Sequence, residues 1–499
     1  MVLNVILLYI FLLYKHILIK FHEIAYIPQN IFWSYQIKIL DQTVFFCYFG
    51  FMTKKKRQQP VTVGFIALGC PKNVVDSEKM LAQIVEADFL ITAEASGADV
   101  VVINTCGFIA PAKAEALEAI KHAVKFKTIG SVKKVIVTGC LSERLGNRLL
   151  EQTNGIDAVV GLGERDNIAQ IIRKTLVSNT PEIYIDHSPD IVADDRARLL
   201  ITPSHWAYLR ISEGCAHNCS FCTIPAIRGP FRSKPQQLIL AEAAELASAG
   251  VVELNIIAQD TTYWGRDLEI KNGLSKLLKE LEKIEPLKWI RLMYLYPMGI
   301  DEQLIETVAS SEKIVNYFDI PIQHINDKIL KDMRRGDTKE RIYSLIEKLR
   351  MSIAGVILRT TIIVGFAGET DSQFEELVEF VKRAQFDALG CFRYYRESGT
   401  AAAEMSNQVP DELKEQRVEK LMLTQQRIVF SKNKSRIGTN LICMVDSVDN
   451  DGTVWGRFYG QAPDIDSVCI IEGCSAKPGQ FIDVEVTGSK DYDLLVRQI

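Results

Sequence analysis

The run Trp206-Ala207-Tyr208-Leu209-Arg210-Ile211-Ser212 leads straight into Glu213-Gly214-Cys215-Ala216-His217-Asn218-Cys219-Ser220-Phe221-Cys222. An apolar, β-prone stretch closed by glycine reads as a strand, and the three cysteines follow at its carboxyl end. Working outward, six such runs alternate with helical stretches: residues 206–212, 252–257, 289–294, 315–320, 357–364 and 386–394. Strands that alternate with helices predict a parallel sheet. Six units fall short of the eight of a full barrel, so the expected form is an open (βα)6 barrel with its chemistry at the carboxyl ends of the strands. A charged amphipathic helix over 411–431 leads to short alternating runs over 437–499, punctuated by glycines, which predict a small antiparallel β-barrel.

Upstream of the barrel one pattern occurs three times. Val61 to Leu68 precedes Gly69-Cys70, Val100 to Thr105 precedes Cys106, and Val135 to Gly139 precedes Cys140. The spacing suits a strand plus a crossover helix, with Asp76-Ser77 capping a helix whose apolar face is Met80, Leu81, Ile84 and Val85, and with Leu117, Ile120 and Val124 at helical spacing in the next. Right-handed crossovers place the carboxyl ends of parallel strands on one rim, so the three thiols converge there. A further strand at 158–160 and a helix near 167–176 complete an α/β domain. The fold class is therefore α/β multidomain: a parallel-sheet domain (61–176), the open barrel (201–431) and the terminal barrel (434–499), with 180–203 as a linker.

Composition sets limits on function. At 47% hydrophobic and 24% charged residues the 499-residue chain can bury several cores, which excludes wholesale disorder. A formal charge of −4 shows no overall basic balance for nucleic acid. Eleven cysteines are too dilute for a disulfide scaffold and too many to ignore as metal ligands. The apolar run 2–14 ends at Lys15 and Lys20, short of a bilayer span, and lacks the basic start of a secretory signal. Residues 1–51 are read as an upstream extension, with Met52 as the true start; amino-terminal sequencing of native protein checks this.

Three thiolates in CxxxCxxC spacing suit one iron-sulfur cluster. A four-iron cubane held by three thiolates keeps one iron open for a bidentate ligand such as the amino and carboxylate groups of S-adenosylmethionine. Zinc would need a fourth ligand. His217 lies between the first two cysteines, where binding the same ion alongside them is awkward. Phe221 is placed either to shield the cluster and pack on adenine or simply to fill core. Cys391, Cys443, Cys469 and Cys474 sit in apolar runs and read as packing.

This CxxxCxxC placement, the (βα)6 pattern and Ile363-Val364-Gly365-Phe366-Ala367-Gly368-Glu369 resemble the radical S-adenosylmethionine enzymes. The resemblance implies a cluster that reductively cleaves the cofactor to a hydrogen-abstracting 5′-deoxyadenosyl radical. It also implies that Gly365 and Gly368 let the backbone approach the cofactor, with Glu369 a polar partner; a turn and a helix amino-terminal acid is the equal alternative. With the upstream three-cysteine domain and the small terminal barrel, which resembles a TRAM domain, the chain resembles the methylthiotransferases. That implies two [4Fe-4S] clusters, one on Cys215, Cys219 and Cys222 and one on Cys70, Cys106 and Cys140. The second would carry the sulfur or methylthio group.

Two branches of that family compete. Leu68-Gly69-Cys70-Pro71-Lys72-Asn73, Asn104-Thr105-Cys106-Gly107-Phe108-Ile109, Pro321-Ile322-Gln323-His324 and Ala462-Pro463-Asp464-Ile465-Asp466 resemble the RimO type, which modifies the β-carbon of an aspartate in the twelfth small-subunit ribosomal protein. Ala367 and Tyr395-Arg396 depart from its pattern. The tRNA-adenosine branch is the alternative, and an iron-sulfur protein of electron transfer or ribosome assembly is the reading from another class. Residues 437–499 carry ten acids against four bases, net −6, a sign suited to a basic protein rather than RNA. Gln259-Asp260, Gln323-His324 and Arg334-Arg335 are further cavity candidates, Gln259 and Asp260 being assigned to cofactor binding. No general base is identifiable. The resemblance further implies a flavodoxin or ferredoxin as electron donor, an unassigned sulfur donor, a cytoplasmic location and no stable membrane association.

Overall fold

Val-rich runs become interior strands of a parallel sheet because crossover helices cover both of its faces. The computed structural model describes residues 60–185, 192 and 194–499, so the readings made for 1–51 and for Cys47 lie outside the described residues. The first sheet comprises β1 (Thr62–Ala67), β2 (Leu90–Thr92), β3 (Val100–Thr105), β4 (Lys134–Gly139), β5 (Ala158–Val160) and β6 (Glu182–Tyr184). Its order is β2-β1-β3-β4-β5-β6, and every pair is parallel. The strand order reverses between β1 and β3, and in such sheets a crevice opens there at the carboxyl edge.

Two details differ from the sequence reading. The helix after β1 spans Pro71–Glu86, so Asp76 and Ser77 lie inside it rather than at its cap, and Val85 is exposed. Pro71 supplies the start, since the first turn needs no proline N–H. Asp76 is tolerated within the buried face because arginines surround its carboxylate. The segment read as a linker contains β6, which extends the sheet, and the fully buried Asp195.

The second sheet is built from β7 (Trp206–Arg210), then, beyond the small β8 (Ser212–Glu213) and β9 (Arg232–Ser233) pair, β10 (Glu253–Ile257), β11 (Trp289–Leu292), β12 (Ile314–Gln323), β13 (Ile357–Val364) and β14 (Ala388–Arg393). The order β14-β13-β12-β11-β10-β7 is parallel throughout and leaves its two edges unpaired with each other, the open six-unit barrel. Helix Asp411–Arg436 runs five residues beyond the expected end. It delivers the chain to a closed barrel of β15 (Asn440–Val448), β16 (Val454–Phe458), β17 (Cys469–Glu472), β18 (Phe481–Lys490) and β19 (Asp493–Gln498), in which β17 and β19 pair in parallel and the other pairs are antiparallel.

One apolar cluster joins the three parts. It runs from Val75 of the first domain through Tyr208, Ile257, Met293 and Tyr317 of the open barrel to Val454, Cys469 and Val484 of the terminal barrel. Ion pairs reinforce the lower junction: Arg457 meets Glu253 at 2.8 Å and Asp446 at 2.7 Å, and Tyr317 donates to Asp466 at 2.7 Å. Asp446 and Asp466 are therefore spent on internal partners, and the outward acidic excess of the terminal barrel is smaller than its composition suggests. Cys443 and Cys469 are fully buried in that barrel's core, as their apolar setting predicts. Among the described residues no helix is long and apolar enough to cross a membrane.

Candidate functional site

Cys70 follows β1, Cys106 follows β3 and Cys140 opens the helix after β4, so all three leave the same sheet edge beside the β1/β3 switch point. Asn73 draws their loops together: its amide donates to the carbonyls of Leu68 (3.0 Å) and Thr105 (2.9 Å). Asn104 returns bonds to the Asn73 carbonyl and the Ser77 hydroxyl, and Thr105 donates to the Thr138 carbonyl at 2.6 Å. The approach is close enough to require glycine beside the thiols. A Cβ on Gly69 would stand 3.0 Å from the Cys106 Cβ, and one on Gly107 would stand 2.7 Å from the Cys140 carbonyl oxygen.

Cys215, Cys219 and Cys222 occupy the loop after β7, at the carboxyl mouth of the open barrel. This loop is anchored on both sides. Ser220 donates from its amide to Met333 and from its hydroxyl to Asp332, while its carbonyl accepts from Ala402. His217 stacks on Tyr296 with centroids 3.8 Å apart and bonds Asp260 at 2.6 Å. Burial pushes the thiols of Cys106 and Cys222 up to about 12, and those of Cys140 and Cys215 up to about 11. Neighbouring thiols of the same triad add to each rise.

Such pockets disfavour a lone thiolate and favour one whose charge a cationic group takes up. The donor sets fit iron-sulfur clusters: two gatherings of three thiols each.

Arg228 ties the segment after the second triad to the first triad. It ends the short helix Ile224–Arg228 that follows Cys222, and it is buried. Its guanidinium reaches Asn73 Oδ1 at 2.6 Å, Asp76 at 3.0 Å, Glu213 at 3.0 Å and the Cys140 sulfur at 3.4 Å. Around it Asp76 and Asp195 share Arg165 and Arg210, and burial is outweighed by these cations, which hold both carboxyls well below the usual range. Lys72 packs against the barrel: its Nζ lies 3.2 Å from the Tyr294 ring centroid, and burial lowers its ammonium to about 8.

The other sequence candidates divide. Gln259 donates to Glu213 at 2.7 Å while its buried Oε1 has no partner, an acceptor left available at the mouth. Arg335 lies over Tyr296, bonds the Pro321 carbonyl and keeps a buried, unpartnered Nε. Asp260 is taken up by His217 and Thr262, so it orients the cysteine loop. Glu369 accepts from the Gly365 and Phe366 amides and from Arg417, the turn-holding alternative of the sequence reading. A Cβ on Gly365 would strike Lys414, whereas one on Gly368 would meet nothing. His324 is fully buried and accepts from Asn326, Gln323 has a positive φ at the end of β12, and Arg334 is exposed and not brought to the mouth. Phe221 packs edge-on to Phe366 within an apolar cluster. The departing loop at Tyr395-Arg396 runs into Glu397, which pairs with Lys113 and Arg144 of the first domain. Sequence reasoning missed Arg228, Asp76 and Tyr294 as site groups; their partners are distant in the chain, so no local spacing signals them.

Family models match three segments: the uncharacterized protein family UPF0004 over residues 62–161, the radical SAM superfamily over 209–381 and the TRAM domain over 437–499. Similar curated proteins carry the name ribosomal protein uS12 methylthiotransferase RimO. That of Citrifermentans bemidjiense is 41% identical over 446 residues, 89% of this chain and 99% of the relative. That of Thermoanaerobacter sp. is 44% identical over 87% of this chain and 99% of the relative, and that of Geobacter sulfurreducens 43% over 87% and 97%. Among solved structures, the radical S-adenosylmethionine methyltransferase TsrM of Kitasatospora setae shares the fold at a TM-score of 0.51 and 14% identity, covering 69% of this chain and 74% of that one.

Proposed function

The chain belongs to the RimO family of ribosomal protein uS12 methylthiotransferases, and from that premise we infer how its own residues divide the work. It is a radical S-adenosylmethionine methylthiotransferase that acts on uS12, using S-adenosylmethionine and a [4Fe-4S] cluster. In the proposed arrangement there are two clusters, one on Cys215, Cys219 and Cys222 and one on Cys70, Cys106 and Cys140. When bound, these groups and the cofactor supply the electron, the hydrogen-abstracting radical and the methylthio group delivered to an aspartate β-carbon.

The observation that supports this reading is the junction at Arg228: six residues after Cys222, it bonds the sulfur of Cys140 and the amide oxygen of Asn73. In the proposed arrangement both thiol sets border one interdomain cleft, where a substrate side chain can meet both. Asn73 and Arg228 hold the first set. Asp260 and Tyr296, acting through His217, hold the second. Gln259 and Arg335 offer polar atoms to the cofactor, and the packed walls of Phe221 and Phe366 exclude water. Electron delivery by a flavodoxin or ferredoxin and a cytoplasmic location belong to the same proposal.

Anaerobically reconstituted protein, incubated with dithionite, S-adenosylmethionine and recombinant uS12, should yield 5′-deoxyadenosine and a methylthio group on an aspartate by mass spectrometry. About eight irons per chain should accompany full activity. Absence of 5′-deoxyadenosine, or a methylthio group found on tRNA adenosine instead, would overturn the reading.

A further inference from the structure

Glu397 lies in the loop after β14, yet its carboxylate is spent on the first domain. It is 3% exposed, and its Oε2 meets the Lys113 ammonium at 2.6 Å and the Arg144 guanidinium at 2.9 Å. Lys113 stands in the first turn of helix Ala110–Thr128, which follows Cys106, and Arg144 stands one turn beyond Cys140 in helix Cys140–Leu145. One carboxylate of the open barrel therefore collects a cation from each of two helices that leave the first thiol set.

The Arg144 guanidinium also bonds backbone on both sides of this junction. Its Nη1 donates to the carbonyls of Gly107 at 2.8 Å and Phe108 at 3.3 Å, the two residues after Cys106, and its Nη2 donates to the Ser398 carbonyl at 3.1 Å. The barrel loop it grips is anchored in turn. Thr400 donates from its amide and its hydroxyl to the Glu397 carbonyl, and the Ala402 amide donates to the Ser220 carbonyl at 2.8 Å. Ser220 stands between Cys219 and Cys222. A continuous path thus leads from the segment after Cys106, through Arg144 and residues 397–402, to the segment between Cys219 and Cys222. Arg228 makes its junction with other partners, so neither arginine replaces the other.

We propose that Arg144 and Glu397 are positioning residues for the transfer, a clamp that sets the Cys106 and Cys140 segments against the segment bearing Cys219 and Cys222. The inference rests on the two-cluster reading above. Each residue acts through the backbone that carries the thiols, and neither is assigned a contact with substrate or cofactor. A planar guanidinium can bond two segments and a carboxylate at once, which a lysine ammonium on a flexible stem does poorly. The pair is buried, so losing one partner leaves the other uncompensated rather than returned to water.

The test uses the reconstituted full-length protein as wild type, Arg144→Met, Arg144→Lys and Glu397→Gln. Two quantities are read: amide hydrogen exchange by mass spectrometry in the peptides containing residues 106–109 and 219–223, and 5′-deoxyadenosine released per methylthio group gained by uS12. Arg144→Met should speed exchange in both peptides by roughly tenfold or more and raise the nucleoside-to-product ratio by a similar factor. Glu397→Gln should move both quantities the same way, and Arg144→Lys should restore only part of each. Should Arg144→Met fail to fold, Glu397→Gln decides on the same two readings. Faster exchange in the first peptide alone would overturn the inference, as would a lowered melting temperature with an unchanged ratio, the behaviour of an ion pair that only stabilises. Wild type that binds about four irons would defeat the two-cluster reading instead, while exchange in the two peptides still decides whether the clamp couples them.

Discussion

Replacing Arg228 by methionine removes a buried side chain that bonds both cysteine-bearing domains, reaching Asn73, Asp76 and the Cys140 sulfur on one side and Glu213 on the other. In the variant, Glu213 keeps Arg210 at 2.8 Å, and Asp76 Oδ1 keeps Arg165 and Arg210 at 3.0 and 2.8 Å. Asp76 Oδ2 loses its 3.0 Å bond and Asn73 Oδ1 its 2.6 Å bond. Breaking a buried ion pair from one side costs about 3–5 kcal/mol, and the arginines that remain place this case near the lower end, about 3 kcal/mol. For domains of this size that corresponds to a fall in melting temperature of about 6 °C or more. The loss should be uneven. Asn73 ties the Cys70 and Cys106 loops, so iron in reconstituted Arg228→Met should drop from about eight per chain toward about four, the first triad emptying while the second stays loaded. Calorimetry with iron analysis on anaerobic samples reads both quantities. A variant that melts within about a degree of wild type and binds full iron would refute the bridging role.

Other perturbations isolate other elements. Cys140→Ala should still form 5′-deoxyadenosine but transfer no methylthio group, Cys215→Ala should form none, and Cys443→Ala should keep its full iron; chromatography of the nucleoside products separates the three. Gly365→Ala should destabilise by about 3 kcal/mol, since φ is +69° and the new Cβ would lie 2.3 Å from Lys414 Cγ, whereas Gly368→Ala, at φ +78° with open space, should cost about 1 kcal/mol; denaturant titration compares them. Asp446 is half-buried, and Arg457 and His205 hold its carboxyl below the usual range, so its stabilisation is present above the unfolded carboxyl pKa, about 4, and is lost as pH falls below it. Acid titration of wild type against Asp446→Asn should show the variant with the shallower decline between about pH 4 and pH 2, and parallel curves would reject the assignment.

Much of this architecture is local and was therefore legible in the chain. Apolar runs closed by glycine mark strand ends, parallel connections bring those ends to one edge, and Cys70, Cys106, Cys140 and the Cys215 to Cys222 cluster follow from position alone. Periodicity and spacing are properties of neighbouring residues, so sequence by itself determined the open barrel, the small terminal barrel and both thiol sets. Tertiary structure decided what depends on long-range electrostatics. Asp76 reads as a cap in isolation, yet it lies in mid-helix because Arg165, Arg210 and Arg228 arrive from elsewhere in the chain to neutralise it. Glu369 could have faced a cofactor, yet it serves two backbone amides and Arg417. The acids of the terminal barrel read as a surface field, but Asp446 and Asp466 turn inward to barrel partners. A buried charge is stable only where its counter-charge has been brought to it, and that pairing exists only once distant parts of the chain have folded together.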